Sequence, residues 1–216
     1  IGNEKAGSWK PIFPITTKEI IFEKNVICTF MPLIYILQDI HTGSTISIQN
    51  VKTSLWNAYS ELFKREENKD KIVFILKKQG KKSLMNLVSK GSSSFESVLF
   101  SEDYYLTDFD YWALCNFNKI PCILFSSTTL KYLSTQINWL CLGGNHIANM
   151  KYYFIRSPLD VKLNTPSSYH LLTPSLSLES LNNSMLQEAR NGDENYQNNW
   201  QNIQEYLLKY HIIKKK

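Results

Sequence analysis

Cysteine, histidine and clustered lysine are the residues of this 216-residue chain whose types could do chemistry. The cysteines are Cys28, Cys115, Cys122 and Cys141, and no two of them form a C-x-x-C pair. Cys115, Cys122 and Cys141 lie in runs that read as core, so free buried thiols in a reducing compartment are expected. Histidine and cysteine are too scattered to suggest a zinc site. No metal and no cofactor is expected. Gly143-Gly144-Asn145 is turn chemistry, because it lacks the Gly-Lys-Ser/Thr context of a phosphate loop. Asp108 and Asp110 could serve as acid/base groups or metal ligands. They follow Thr107, a good N-cap, at the spacing where a carboxylate reaches back to free N–H groups, and a helix cap explains both more simply. The same reading covers Glu102 and Asp103.

Lys77, Lys78, Lys81, Lys82 and Lys90 form a basic patch that could meet the phosphates of DNA or RNA. No aromatic interleaving accompanies them, and a solvated helix face is the favoured reading; nucleic acid is possible but not favoured. The formal net charge of +5 is modest for the length and permits such a role without requiring it. Hydrophobic content of 43% and charged content of 20% are those of an ordinary globular chain, and 13% aromatic residues imply a core rich in Tyr, Phe and Trp. The longest apolar run, 26–37, is too short to span a membrane. No signal peptide is visible, and a start at Ile1 without methionine suggests a processed product or part of a longer protein.

Elements that would position these groups follow from periodicity and punctuation. Residues 1–17 read as an extended arm around Trp9, Ile12 and Phe13, and 20–30 have strand composition. Pro32 suits a first helical turn, and Leu33, Ile36, Leu37 and Ile40 recur at helical spacing. The clearest amphipathic helix covers 47–64, with Ile48, Val51, Leu55, Tyr59 and Leu62 on one stripe. A charged break at 65–71 precedes a helix that ends near Gln79-Gly80. Residues 83–88 continue as a short helix, and 95–100 as a short element. A capped helix after Thr107 stops at Asn116, Asn118 and Pro121. Residues 120–125 should form a strand buried on both faces, and 137–142 and 151–156 a hairpin. Residues 157–174, with three prolines and many Ser and Thr, read as a surface linker. Residues 176–190 and 196–209 look helical, and Trp200, Ile203, Tyr206, Leu207 and Tyr210 share one face that could pack on the body or anchor a partner.

Taken in order, this pattern resembles an ovarian-tumour (OTU) type cysteine protease domain, which has a papain-like fold. It is most similar to the divergent OTU-like domains in long proteins of large eukaryotic DNA viruses. The motifs that carry the resemblance are Gly80-Lys81-Lys82, the Y-x-L-T-x-x-D run ending at Asp110, and I-P-x-I-x-F from Ile120 to Phe125. It spans roughly residues 25–156. The resemblance places the nucleophile at Cys28, in the family's C-x-F-x-x-[LI] pattern with Phe30 and Leu33. Two departures accompany it. The D-G-N that precedes the family's cysteine is Asn25-Val26-Ile27 here, so the glycine that shapes the oxyanion loop is missing. The histidine expected near Lys151-Tyr152 is absent, and His146 is the nearby candidate base. A thiol without an imidazole in hydrogen-bond reach is a poor nucleophile.

The expected fold is therefore α+β. A papain-like, OTU-like core with a small central sheet flanked by helices (20–156) would carry an extended N-terminal strap (1–19), a Pro/Ser-rich linker (157–175) and a C-terminal helical arm (176–216). The leading functional expectation is a catalytically degenerate module. It would be a structural or protein-interaction domain of a larger, viral assembly, cytoplasmic or virion-associated, meeting other subunits through its arms. The alternative is an active cysteine isopeptidase acting on ubiquitin-like protein, with Cys28 as nucleophile and His146 as base. A third reading is nucleic-acid association through the basic helices.

Overall fold

Helices from the first half of the chain pack against a sheet assembled from both of its ends. The computed structural model describes residues 19–23, 25–120, 122–126, 138–142, 153–156, 164, 166 and 168–172. Within these, strand β1 (Glu19–Ile21) leads through a 3-10 turn (Val26–Thr29) into helix α1 (Met31–Ile40). Then come α2 (Ile48–Phe63), α3 (Glu66–Lys78), α4 (Lys82–Ser89), α5 (Phe95–Phe100) and α6 (Asp108–Phe117). Strands β2 (Cys122–Ser126), β3 (Asn138–Leu142), β4 (Tyr153–Arg156) and β5 (His170–Leu172) follow. The class is α+β.

Local chemistry explains most helix boundaries. Pro32 sits in the first turn of α1, where its missing N–H costs nothing. Ser47 and Asn50 cap each other at the start of α2, and the Ser94 hydroxyl accepts from the Ser97 N–H at the start of α5 (3.0 Å). The charged stretch expected to break the chain at 65–71 is instead the first turns of α3. Glu66 and Glu67 there face the positive end of the helix dipole, and Lys77 and Lys78 the negative end. The segment 20–30 is strand only to Ile21, because the Asn25 side chain accepts from the Cys28 N–H (2.8 Å) and winds the chain into its 3-10 turn.

The sheet departs from expectation in two ways. Its order is β1-β5-β4-β2-β3, so 137–142 and 151–156 do not form a hairpin. β2 lies between them, antiparallel to β3 and parallel to β4. The second departure is the expected linker. Residues 170–172 form β5, hydrogen-bonded on one side to β1 and on the other to β4. A boundary at 156 would therefore cut through the sheet. The same stretch also reaches the helices. Asn164, with a left-handed φ of 57°, donates its N–H to Gly80 O (2.6 Å), and its side chain accepts from Ser83 N–H (2.7 Å) in the first turn of α4. The Tyr169 hydroxyl donates to Asp108 (2.6 Å).

Register and alternation sort the side chains of the sheet. Ile20, Leu171, Ile155, Tyr153, Leu124 and Cys122 join Leu33, Ile36, Leu55, Tyr59, Leu76 and Trp112 in one core. Glu19, Ile21, Phe154, Arg156 and His170 alternate with them and take the opposite face. Among the described residues no helix is long and apolar enough to cross a membrane. The expected strap (1–19) lies outside the described residues except for Glu19, which opens β1, and the expected helical arm (176–216) lies outside them. A chain stopped at residue 156 loses β5, the sheet partner of β1 among the described residues. It is expected to show no cooperative urea transition, whereas the full chain does; near-ultraviolet circular dichroism across the titration distinguishes the two. In the full chain Asn164→Ala should cost about 0.5–2 kcal/mol, the range for a lost helix cap.

Candidate functional site

The turn that carries Cys28 is fastened on every side. The Cys28 N–H donates to both the side chain (2.8 Å) and the carbonyl (3.2 Å) of Asn25. Thr29 Oγ1 donates to Val26 O (3.2 Å) and accepts from Leu106 N–H (2.8 Å). Tyr111 Oη donates to Thr29 O (2.6 Å). These bonds turn the thiol inward, and the residue is 1% exposed. Burial first, and then the nearby thiols of Cys115, Cys122 and Cys28, push the Tyr111 hydroxyl well above its ordinary range. With its own N–H taken by Asn25, Cys28 does not offer the donor that would stabilise an oxyanion.

Neither described histidine serves it. His41 caps the far end of the ten-residue α1, about 15 Å along the helix from its start. His170 begins β5 and points away from the core, since its neighbours Tyr169 and Leu171 are the core residues. On that outer face Glu19 Oε2 meets His170 Nδ1 (2.5 Å) and the guanidinium of Arg156, and Arg156 Nη2 lies 3.3 Å from His170 Nδ1. The trio joins β1, β5 and β4. Reading the sequence missed His170, hidden in a Ser/Pro-rich run. No hydrogen bond joins it to Cys28 among the described residues. His146, the base suggested by the resemblance, lies outside the described residues, as do Trp200, Ile203, Tyr206, Leu207 and Tyr210.

The densest polar chemistry surrounds Asp110. The Tyr59 and Tyr104 hydroxyls donate to Oδ1 at 2.6 and 2.7 Å. Thr107 donates to Oδ2 through its N–H (2.6 Å) and its hydroxyl (2.8 Å), and the Lys81 ammonium completes the set at the same oxygen. Lys81 is therefore no part of a solvated basic face. Its side chain and that of Asp110 are both wholly buried, and the ammonium lies 3.9 Å from the centroid of the Tyr104 ring. The preceding turn makes this possible. Gly80 has a φ of 110°, open to glycine and strained for other residues, and it ends α3 so that Lys81 points inward. Burial pushes Lys81 down to about 8, against the opposing pull of Asp110. Burial, and then the Asp110 charge, hold the Tyr59 and Tyr104 hydroxyls well above their ordinary range. Asp110 is thus the carboxylate of a helix cap, as its spacing implies, and also the anchor of a buried ion pair.

The other four lysines of the patch remain at the surface. Lys78, Lys82 and Lys90 are exposed, and Lys77 is half-buried with its ammonium on Ser89 Oγ (2.7 Å). Lys78 lies 5.4 Å over the ring of Phe74, which is itself exposed. Lys52, unremarked in the sequence, is buried, donates to Ser101 O (2.6 Å), and is lowered by burial. Among the described residues no group of three or more His, Cys, Asp or Glu side chains is arranged to hold a metal ion. No family model, no curated protein and no solved structure matches the chain.

Removing one partner of the buried pair leaves the other charge stranded. Lys81→Met and Asp110→Asn are each expected to lower the unfolding free energy by about 3–5 kcal/mol. The pair also sets a pH dependence. Folded Lys81 releases its proton near 8, whereas the unfolded chain holds it to about 10.5. Between those values the unfolded state binds more protons, so the contribution of this group to stability rises with pH. Above about pH 10 the tyrosines oppose it, because unfolding lets them ionise. Urea titrations of wild type and Lys81→Met between about pH 7.5 and 9.5 should show wild type gaining relative to the variant.

Proposed function

We propose that this chain is a catalytically degenerate, OTU-like module with a papain-like arrangement, acting as a structural or protein-interaction domain of a larger, viral assembly. The observation that carries the reading is the state of Cys28. Its residue is buried, its N–H is satisfied by Asn25, and no described side chain hydrogen-bonds to its thiol. The motifs that resemble the family are put to structural use. The Y-x-L-T-x-x-D run builds the cap and ion-pair network of Asp110, and Gly80-Lys81 delivers the lysine to it. A position at the entry of a helix is what the papain-like reading asks of the nucleophile, and the place of Cys28 just before α1 supports that reading.

The alternative, an isopeptidase using Cys28 and His146, makes the opposite claim about reactivity. A ubiquitin suicide probe with an electrophilic C-terminus is expected to leave the wild-type chain unlabelled, and iodoacetamide should alkylate Cys28 no faster than it does the unfolded thiol. Probe labelling that is present in wild type and lost in Cys28→Ala would overturn the degenerate reading. Because the Cys28 side chain only fills space, Cys28→Ala should fold, with a loss on the order of 1 kcal/mol.

A further inference from the structure

Charge is segregated along this chain. From 71 to 94 it carries Lys71, Lys77, Lys78, Lys81, Lys82 and Lys90 and no acidic residue. Lys81 is neutralised inside the core by Asp110, and Lys71 faces Glu67 at 3.9 Å. The remaining four ammonium groups sit on the α3–α4 hairpin without an acidic partner among the described residues. The bond from Lys77 to Ser89 joins the two helices. Phe74 and Leu87 are also exposed on this hairpin, at 44% and 43%. Further along the chain, residues 173–208 reverse the sign, with Glu179, Glu188, Asp193, Glu194 and Glu205 against Arg190 alone.

We propose that the basic face of the α3–α4 hairpin is the docking site of the chain's own acidic stretch, 179–205. Reach permits it. The stretch follows β5, and the segment leading into β5 is already pinned to the turn between the two helices, since Asn164 bonds to Gly80 and Ser83. Six residues lie between Leu172 and Glu179, and an extended chain covers about 25 Å over those seven steps. Tethering through so short a connection gives an effective concentration in the millimolar range, which favours the same molecule over a second one. The chemistry of the face also fits a protein segment better than nucleic acid. Its cations are all lysines, point charges without the planar fork that grips phosphate in two places. Leu87 is aliphatic and offers no flat surface to a base. Carboxylates spaced along a segment that also carries Leu181, Leu186 and Trp200 can meet both the lysines and the apolar anchors. An outside polyanion would compete for the same face and release the segment. The inference stands whether or not Cys28 is reactive.

Zero-length carbodiimide coupling of the full chain at low micromolar concentration, read by peptide mass spectrometry, tests this. Intrachain links are expected between the lysines at 77–90 and the carboxylates at 179–205. Their yield should fall several-fold at about 0.5 M salt, where screening is short-ranged. The triple variant Lys78→Glu, Lys82→Glu, Lys90→Glu should abolish them. These side chains are exposed, so its circular dichroism should match wild type. Adding Glu188→Lys, Asp193→Lys and Glu194→Lys should restore coupling with the polarity reversed. Absence of such links in wild type overturns the proposal, as does their confinement to cross-linked dimers. Salt-dependent retention of a single-stranded oligonucleotide by the wild-type chain, lost in the triple variant, would assign the face to nucleic acid and overturn it as well.

Discussion

The carboxylate of Asp110 is the constraint on which the helical layer depends. It has no water to turn to, and it receives two phenols, a threonine hydroxyl, a backbone N–H and an ammonium. Each donor comes with an element attached. Tyr59 belongs to α2, Lys81 opens α4, Tyr104 lies on the approach to α6, and Thr107 is the cap of α6 itself. A buried charge is tolerated only when such a shell is complete, and an incomplete shell costs more than an apolar replacement would. The network therefore specifies one arrangement of helices among the several that the apolar stripes alone would allow.

A second, smaller polar assembly does the same for the sheet. Glu19, His170 and Arg156 come from three adjacent strands, and their contacts lie on the face away from the helices. Tyr169 and Asn164 then fasten the strand-bearing segment to α6 and α4. Helices and sheet are thus joined by directional bonds from a single short stretch, 164–172, as well as by the shared core. This arrangement accounts for the burial of Cys28. The turn that holds it is the passage from β1 to α1, closed over by Tyr111, whose ring packs at 4.3 Å against Tyr169.

What the sequence made legible follows its local signals. The stripes of α1 and α2, the Thr107–Asp110 cap and the strand after Ile120 are written in spacing and punctuation, and the structure has them. Contacts over long distances are not written that way. Lys81 looks like its neighbours because charge is visible in a sequence and burial is not; a glycine just before it and paired tyrosines at 104 and 105 are the signals that could have marked it. β5 is three residues long among serines and prolines, too short to show alternation. The hairpin was inferred from strands consecutive in sequence, a tendency that the parallel pairing of β2 with β4 overrides. Cys28 was placed by resemblance, and its environment depends on Asn25 and Tyr111, neither of which a motif weighs.

The strand order has a kinetic meaning. Among the described strands β1 is made first, yet β5, which pairs with it, comes about 150 residues later and lies between β1 and β4. Contacts so distant in sequence form late, after most of the entropy of closing the chain has been spent. During synthesis the helical layer can assemble around Asp110 while β1 still has an open edge, and that edge stays available to other chains until residue 172 arrives. A partner that adds a strand there during synthesis would be built in before the fold closes. The order of chain growth, as much as the finished surface, sets which contacts this protein can make.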